Sequence, residues 1–259
     1  MIVPISNSIF GIRIFYRGVM RIIVADTKEE VALIAATLMS EQILRKMNSV
    51  IGLATGKTME PVYEHFKKLV DSQKLDLNQL HFFMLDEYIG LDLKHSSSFQ
   101  SYIKQRVLKP LNLSEAQFSF PPANLPEDSA GDAYEKEIEQ FHGVDFQLLG
   151  VGRNGHIGFN EPGSERKSLT RVVRLTEDTR EANQSDFSDR SVPDLALSMG
   201  IETIFRAKEL VLIATGVSKA DAIHHLMNSN ESSECPVTFL KSHERFTLVL
   251  DREAASRLS

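Results

Sequence analysis

The 259-residue chain contains a single cysteine, no tryptophan and no apolar stretch near the roughly 20 residues that a membrane-spanning helix needs. One thiol, Cys235, excludes an internal disulfide and any cysteine-built zinc site, and it fits a reducing, cytoplasmic setting. Positive charge is also scarce: the net charge is -6, and no stretch clusters the Lys and Arg that a nucleic-acid surface requires. Neither a nucleic acid nor a membrane is expected as a partner. The opening "MIVPISNSIFGIRIFYRGVM" is apolar and basic, yet Arg13 and Arg17 interrupt it and no small-residue cleavage site follows, which speaks against a signal peptide. Met20 is a second candidate start. Residues 1–20 read as an N-terminal extension, and 21–259 as a single catalytic domain.

What is present is alternation. Short β-branched runs separated by longer periodic segments are the mark of βαβ units, so the expected fold is α/β: an open, mostly parallel sheet with helices on both faces, Rossmann-like. "RIIVA" (21–25), "SVIGLA" (49–54), "LHFFML" (80–85), "VDFQLLG" (144–150), "ELVLIATG" (209–216) and "RFTLVLD" (245–251) read as strands, with "FSF" (118–120) a short one and "LTRVVRL" (169–175) a half-buried one. Helices are expected over 27–47, where Thr27 and Glu30 form a capping box, over 60–70 with Pro61 in the first turn, and near 97–108, 130–141 and 218–227. The polar stretch 176–194 has neither periodicity and reads as a mobile surface segment.

In open α/β sheets ligands sit beyond the carboxyl ends of the strands, so "ATGKT", "LDEY", "GVGRNGH" and "ATGVSK" are expected to converge on one crevice. "LATGKT" joins a strand to a helix, and its backbone N–H groups with the hydroxyls of Thr55 and Thr58 make an anion cradle. It is not a Walker loop, because the required second glycine is absent; a plain tight turn is the bland alternative. Lys219 stands near a helix start with Ser218 as its cap, where the dipole disfavours a cation unless an anion is close. Asp86 and Glu87 follow a wholly apolar strand, where burial raises a carboxylate toward the range of a general base. No further ligands assemble around them for a metal, and none is expected.

"GVGRNGHIGFNEPGS" (150–164) is the most informative stretch. Its first six residues spell the dinucleotide fingerprint, but "HIGFNEPG" brings two more glycines and a proline where that motif needs a helix, so a nucleotide cofactor is not expected. Glycines on both sides of His156 let a ligand approach the backbone, and Glu161 is close enough in sequence to orient the imidazole and stabilise its cation. The combination describes a proton-transfer site.

"LATGKT", "LDEY", "GxxxxNGHIGFNEPG", "ALSMGIETI" and "ATGVSKADAI", in this order and spacing from about Arg21 to Leu250, resemble the glucosamine-6-phosphate deaminases (isomerases). The resemblance implies a sugar-phosphate-isomerase type of sheet and a cofactor-free conversion of a phosphorylated amino sugar to a ketose phosphate and ammonia. It implies that His156, tuned by Glu161 and Asn154, opens the sugar ring, and that Asp86 moves a proton between C2 and C1. The phosphate contacts implied fall on Gly56, Thr58 and Lys219; with Thr55, Lys57, Glu87 and Gly150 they make up the expected substrate-binding set.

Three positions depart from that pattern. Asn154 stands where many members have Asp, Lys57 replaces a second glycine of the phosphate loop, and Ser185 or Asp186 occupies the place of a phosphate-clamping arginine. The last departure leaves both the gluco and galacto epimers open as substrate, with a lean to the galacto one. An effector-site arginine is matched by Arg171, but other effector positions are not retained. Oligomeric state is not legible, and a homo-oligomer stays open. Two alternatives remain: 6-phosphogluconolactone hydrolysis, and a non-catalytic sugar-phosphate sensor. The second is disfavoured because 20 residues before the first strand leave no room for a DNA-binding helix pair.

Overall fold

The computed structural model of the protein describes residues 3–5, 12–187 and 191–258. Within them a nine-stranded sheet runs in the spatial order β1 (Val3–Ile5), β2 (Arg13–Arg17), β3 (Met20–Val24), β12 (Phe246–Leu250), β11 (Leu210–Ala214), β8 (Phe146–Leu149), β4 (Val50–Leu53), β5 (His81–Met84) and β7 (Phe118–Ser119). The seven strands from β3 to β7 pair in parallel; only β1 and β2 are antiparallel. Every residue of β4, β8, β11 and β12 is buried, as happens when helices cover both faces of a sheet. The α/β expectation therefore holds.

Helix α1 (Lys28–Arg45) starts at the expected box: the Thr27 hydroxyl accepts the Glu30 N–H at 3.2 Å and the Glu30 carboxylate accepts the Thr27 N–H at 3.0 Å. Helix α2 (Glu60–Gln73) carries Pro61 in its first turn, where the missing N–H costs nothing. Helices α3 (Phe99–Ile103, continued as one π turn to Leu108), α4 (Glu127–Gln140), α5 (Glu177–Asn183), α6 (Ile201–Phe205) and α7 (Ala220–Asn228) complete the set. No helix among the described residues is long and apolar enough to cross a membrane.

Chain order reverses between β8 and β4: β4 leads outward to β5 and β7, while β8 leads the other way to β11 and β12. That is a topological switch point, and the four motif-bearing strands β5, β4, β8 and β11 are immediate neighbours across it. Their carboxyl ends share one rim.

Several local readings need correction. Residues 13–17, expected in an extension outside the domain, form β2, which pairs with β3 on one side and β1 on the other; Met1 lies outside the described residues. Asp86–Tyr88 is itself a strand, β6, joined to β10 (Leu195–Ser198) and β9 (Arg171–Arg174) in a separate antiparallel sheet. The stretch expected as a mobile surface segment carries α5 and a 3-10 turn over Gln184–Asp186, with Thr179 and Phe187 buried; residues 188–190 lie outside the described residues. Ser218 does not cap α7, which starts without a side-chain cap.

At the opposite rim a single carboxylate pins the central strands. Buried Asp145, just before β8, accepts the Val50 N–H at 2.8 Å, Lys46 Nζ at 2.6 Å and Lys208 Nζ at 2.7 Å. Burial pushes its pKa up, but the two ammonium groups and the amide outweigh burial and leave it below the usual carboxylate value. Asp145→Asn removes two charge-assisted bonds from partners that water can reach, and is expected to cost about 1–3 kcal/mol. Because the folded pKa is depressed, this contribution is complete above about pH 4 and fades as pH falls further. Urea melts of both forms at pH 7 and pH 3 check it: the gap should narrow at the lower pH.

Candidate active site

The four loops at the switch-point rim enclose a cavity of about 810 Å³. Thr55, Gly56, Lys57 and Thr58 line it from the loop after β4, and Gly150, Asn154 and His156 from the loop after β8. Asp86 and Lys219 line it from the ends of β5 and β11. Gly56 has φ +109°, a backbone state that glycine alone adopts cheaply, and its carbonyl accepts the Tyr102 hydroxyl at 2.9 Å and the Met59 N–H at 2.9 Å. The turn is thereby locked with its amides beside the start of α2.

Lys219 is lowered in pKa by burial and by the charge of Arg153, which also lines the cavity. Among the described residues neither cation belongs to an ion pair. Two like charges facing one cavity without a counterion favour a bound anion. Arg153 is absent from the expected binding set; a basic side chain between Gly152 and Gly155 is the sequence signal for it.

Asp86 is buried and its carboxylate receives no hydrogen bond among the described residues. Burial first, and the neighbouring Glu87 second, push its pKa up to about 8. Glu87 behaves differently and corrects the expectation that it contacts substrate. Its carboxylate does not line the cavity; it accepts the N–H groups of Tyr88 at 2.9 Å, Phe99 at 3.0 Å and Gln100 at 2.8 Å, and so anchors the start of α3. Burial raises its pKa and those three amides partly offset the rise.

The His156 loop is fixed from both sides. Gly152 N–H donates to the His156 carbonyl at 2.9 Å, and His156 N–H donates to Asn154 Oδ1 at 3.1 Å. Asn160 Nδ2 donates to the carbonyls of Ile157 and Met199, while Arg171 donates to Asn160 Oδ1 at 2.8 Å and Ser164 Oγ at 3.2 Å. Arg171 thus braces the loop. Glu161 stands behind the imidazole rather than on the cavity wall: Oε2 lies 3.4 Å from His156 Nδ1 and accepts Asn154 Nδ2 at 2.9 Å. Burial would raise the Glu161 carboxyl, but His156, Thr179 and Asn154 together hold it down at about 2. An ideal Cβ on Gly158 would sit 3.4 Å from Asp86 Oδ2, so the His156 loop and the Asp86 carboxylate meet at this glycine.

Across the mouth, Lys57 Nζ donates to Ser185 Oγ at 3.2 Å and lies 3.7 Å from Asp186 Oδ1. The cation of the loop after β4 therefore meets the segment 185–186, where the expected clamping arginine is absent.

The model of the family described as glucosamine-6-phosphate isomerases/6-phosphogluconolactonase matches residues 25–249. The chain belongs to this family. It is a family of enzymes, and its fold is the one seen here. A glucosamine-6-phosphate deaminase of Rhodopirellula baltica is 43% identical over 243 residues, covering 93% of this chain and 97% of that protein. A solved structure of a monomeric glucosamine-6-phosphate deaminase superposes with a TM-score of 0.88 at 39% identity, covering 91% of this chain and 98% of the other. The 6-phosphogluconolactonase of Trypanosoma cruzi superposes with a TM-score of 0.73 at 21% identity, over 92% and 96% of the two chains, a likeness of fold alone. This glucosamine-6-phosphate isomerase/6-phosphogluconolactonase family member thus carries the cavity, the buried acid and the imidazole–carboxylate pair at the sheet's switch point.

Proposed function

We propose that the protein is a hexosamine-6-phosphate deaminase that converts glucosamine 6-phosphate and water to a ketose 6-phosphate and ammonia. The observation that carries this reading is the buried, unpartnered Asp86 carboxylate across the cavity from His156 and its carboxylate partner. In this reading the imidazole passes a proton between the ring oxygen and the anomeric hydroxyl, opening the sugar to its aldehyde. Asp86 then removes the proton from C2 and returns it to C1, leaving an imine at C2. Water adds there and ammonia leaves. Abstraction next to a carbonyl needs only a desolvated base at hydrogen-bond reach. Gly56, Thr58 and Lys219, with Thr55, Lys57 and Gly150, hold the phosphate and set the sugar between the two proton carriers. The lone cysteine fits action in the cytoplasm.

The lean toward the galacto epimer rests on the absent arginine, and Lys57 beside Ser185 offers a cation in that part of the mouth. Relatives from 37% to 43% identical are named for the gluco sugar, which supports that epimer. Ammonia release by the purified protein from each hexosamine 6-phosphate tests the proposal, with acid release from 6-phosphogluconolactone measured separately for the lactonase alternative. Glucosamine 6-phosphate should turn over fastest; folded protein silent on both amino sugars overturns the reading.

A further inference from the structure

Helix α5 closes one wall of the cavity through Asp178, Thr179, Glu181, Ala182 and Asn183. Its far end is tied across the mouth: Asn183 Nδ2 donates to the Tyr88 hydroxyl at 3.0 Å, and Ser185 and Asp186 just beyond receive Lys57 of the loop after β4. Its near end reaches past the wall to the group behind His156. The Thr179 hydroxyl donates to Glu161 Oε1, and the Thr176 hydroxyl reaches the same oxygen at 3.3 Å. Glu161 therefore has one oxygen held by α5 and the other turned to Asn154 and to His156 Nδ1.

Two features make the Thr179 contact more than packing. Thr179 is buried apart from the edge it shows to the cavity, and its hydroxyl is spent on Glu161. His156 Nδ1 is also buried, and the acceptor it faces among the described residues is Glu161 Oε2 at 3.4 Å, so the imidazole depends on where that carboxylate is held. We infer that Thr179 is a positioning residue, which fixes Glu161 against His156 from the mouth helix and thereby sets the imidazole for ring opening. This rests on the deaminase reading for its kinetic effect, but the contact itself does not. The hydroxyl acts on the proton-transfer pair and not on the phosphate, so its loss falls on kcat.

The test compares Thr179→Val, which keeps the shape and removes the donor, with Thr179→Ser, which keeps the donor. Thr179→Ala supplies the same deletion should the valine form not fold. For glucosamine 6-phosphate, the donor-deleted protein should lose about 10- to 100-fold in kcat, as misplaced catalytic groups do, with KM within about twofold. Thr179→Ser should stay within about threefold of the native rate. In parallel, ¹³C titration of the Glu161 side-chain carboxyl in the whole protein should show its pKa rising toward the ordinary value in Thr179→Val and unchanged in Thr179→Ser. Equal losses in the valine and serine forms, or an unmoved Glu161 titration without the hydroxyl, overturn the inference. Should no form release ammonia, the deaminase reading fails while the carboxyl titration still decides the role of Thr179.

Discussion

Asp86→Asn is expected to lower kcat for ammonia release by about 10²- to 10⁴-fold, the range a positioned acid or base supplies, with KM within about threefold. The amide has the shape of the carboxylate, and no hydrogen bond from the described residues has to be remade around it. The same substitution should stabilise the protein, in a pH-dependent way. Burial and Glu87 raise the folded pKa of Asp86 to about 8, so between roughly pH 4 and pH 8 the folded chain holds a proton that the unfolded chain has released. Stability of the native protein is penalised progressively across that window, and the penalty is complete above it. An amide carries no such penalty. The gain over the native form should therefore open near pH 4, grow with pH at no more than about 1.4 kcal/mol per unit, and level off above about pH 8. Thermal melts at pH 5, 7 and 9 with kinetics on the same samples read both effects. A pH-independent difference in melting, or loss of affinity equal to the loss of kcat, would show that Asp86 is an ordinary structural acid.

Much of this site is legible in sequence because its parts sit where regular patterns break. Three of the apolar strand runs end in small-residue turns and the fourth in an acid pair, and the rule that ligands bind beyond strand ends gathers all four without further information. The acid pair shows where that reasoning stops. Adjacent residues of an extended strand point to opposite sides, so once Asp86–Tyr88 is a strand only one of Asp86 and Glu87 can face the cavity, and Asp86 and Tyr88 share that side. Three residues are too few for alternation to announce a strand, and although 169–175 reads as a strand, the pairing of β6 with β10, and of β10 with β9, in a second sheet has no local signal. Helix α5 escaped for a related reason. Seven residues make two turns, its buried anchor is the hydroxyl of Thr179 rather than an apolar stripe, and its partner Glu161 is 18 positions earlier. Polar composition there reflects contacts with a polar site, not freedom from contacts.

The glycines around His156 make the sharpest structural prediction: Gly152→Ala should reduce kcat by about 100-fold or more while leaving the fold intact. A Cβ at this position would lie 2.2 Å from Cε1 and 2.4 Å from both nitrogens of the His156 ring, closer than any real contact. Gly152 is not among the glycines with positive φ, so alanine imposes no backbone strain. Its N–H is already bound to the His156 carbonyl, which prevents the loop from yielding by sliding. The ring must rotate instead, and rotation takes Nδ1 away from Glu161 and shifts the imidazole on the cavity wall. Gly155→Ala provides the contrast, since φ there is +83° and the added methyl would meet Cys235 Sγ at 2.3 Å. It should lower the melting temperature as well as the rate. Crystals or ¹⁵N imidazole shifts of Gly152→Ala would show the displaced ring directly. Native turnover with a visibly rotated imidazole would remove His156 from the chemistry and leave ring opening to solvent.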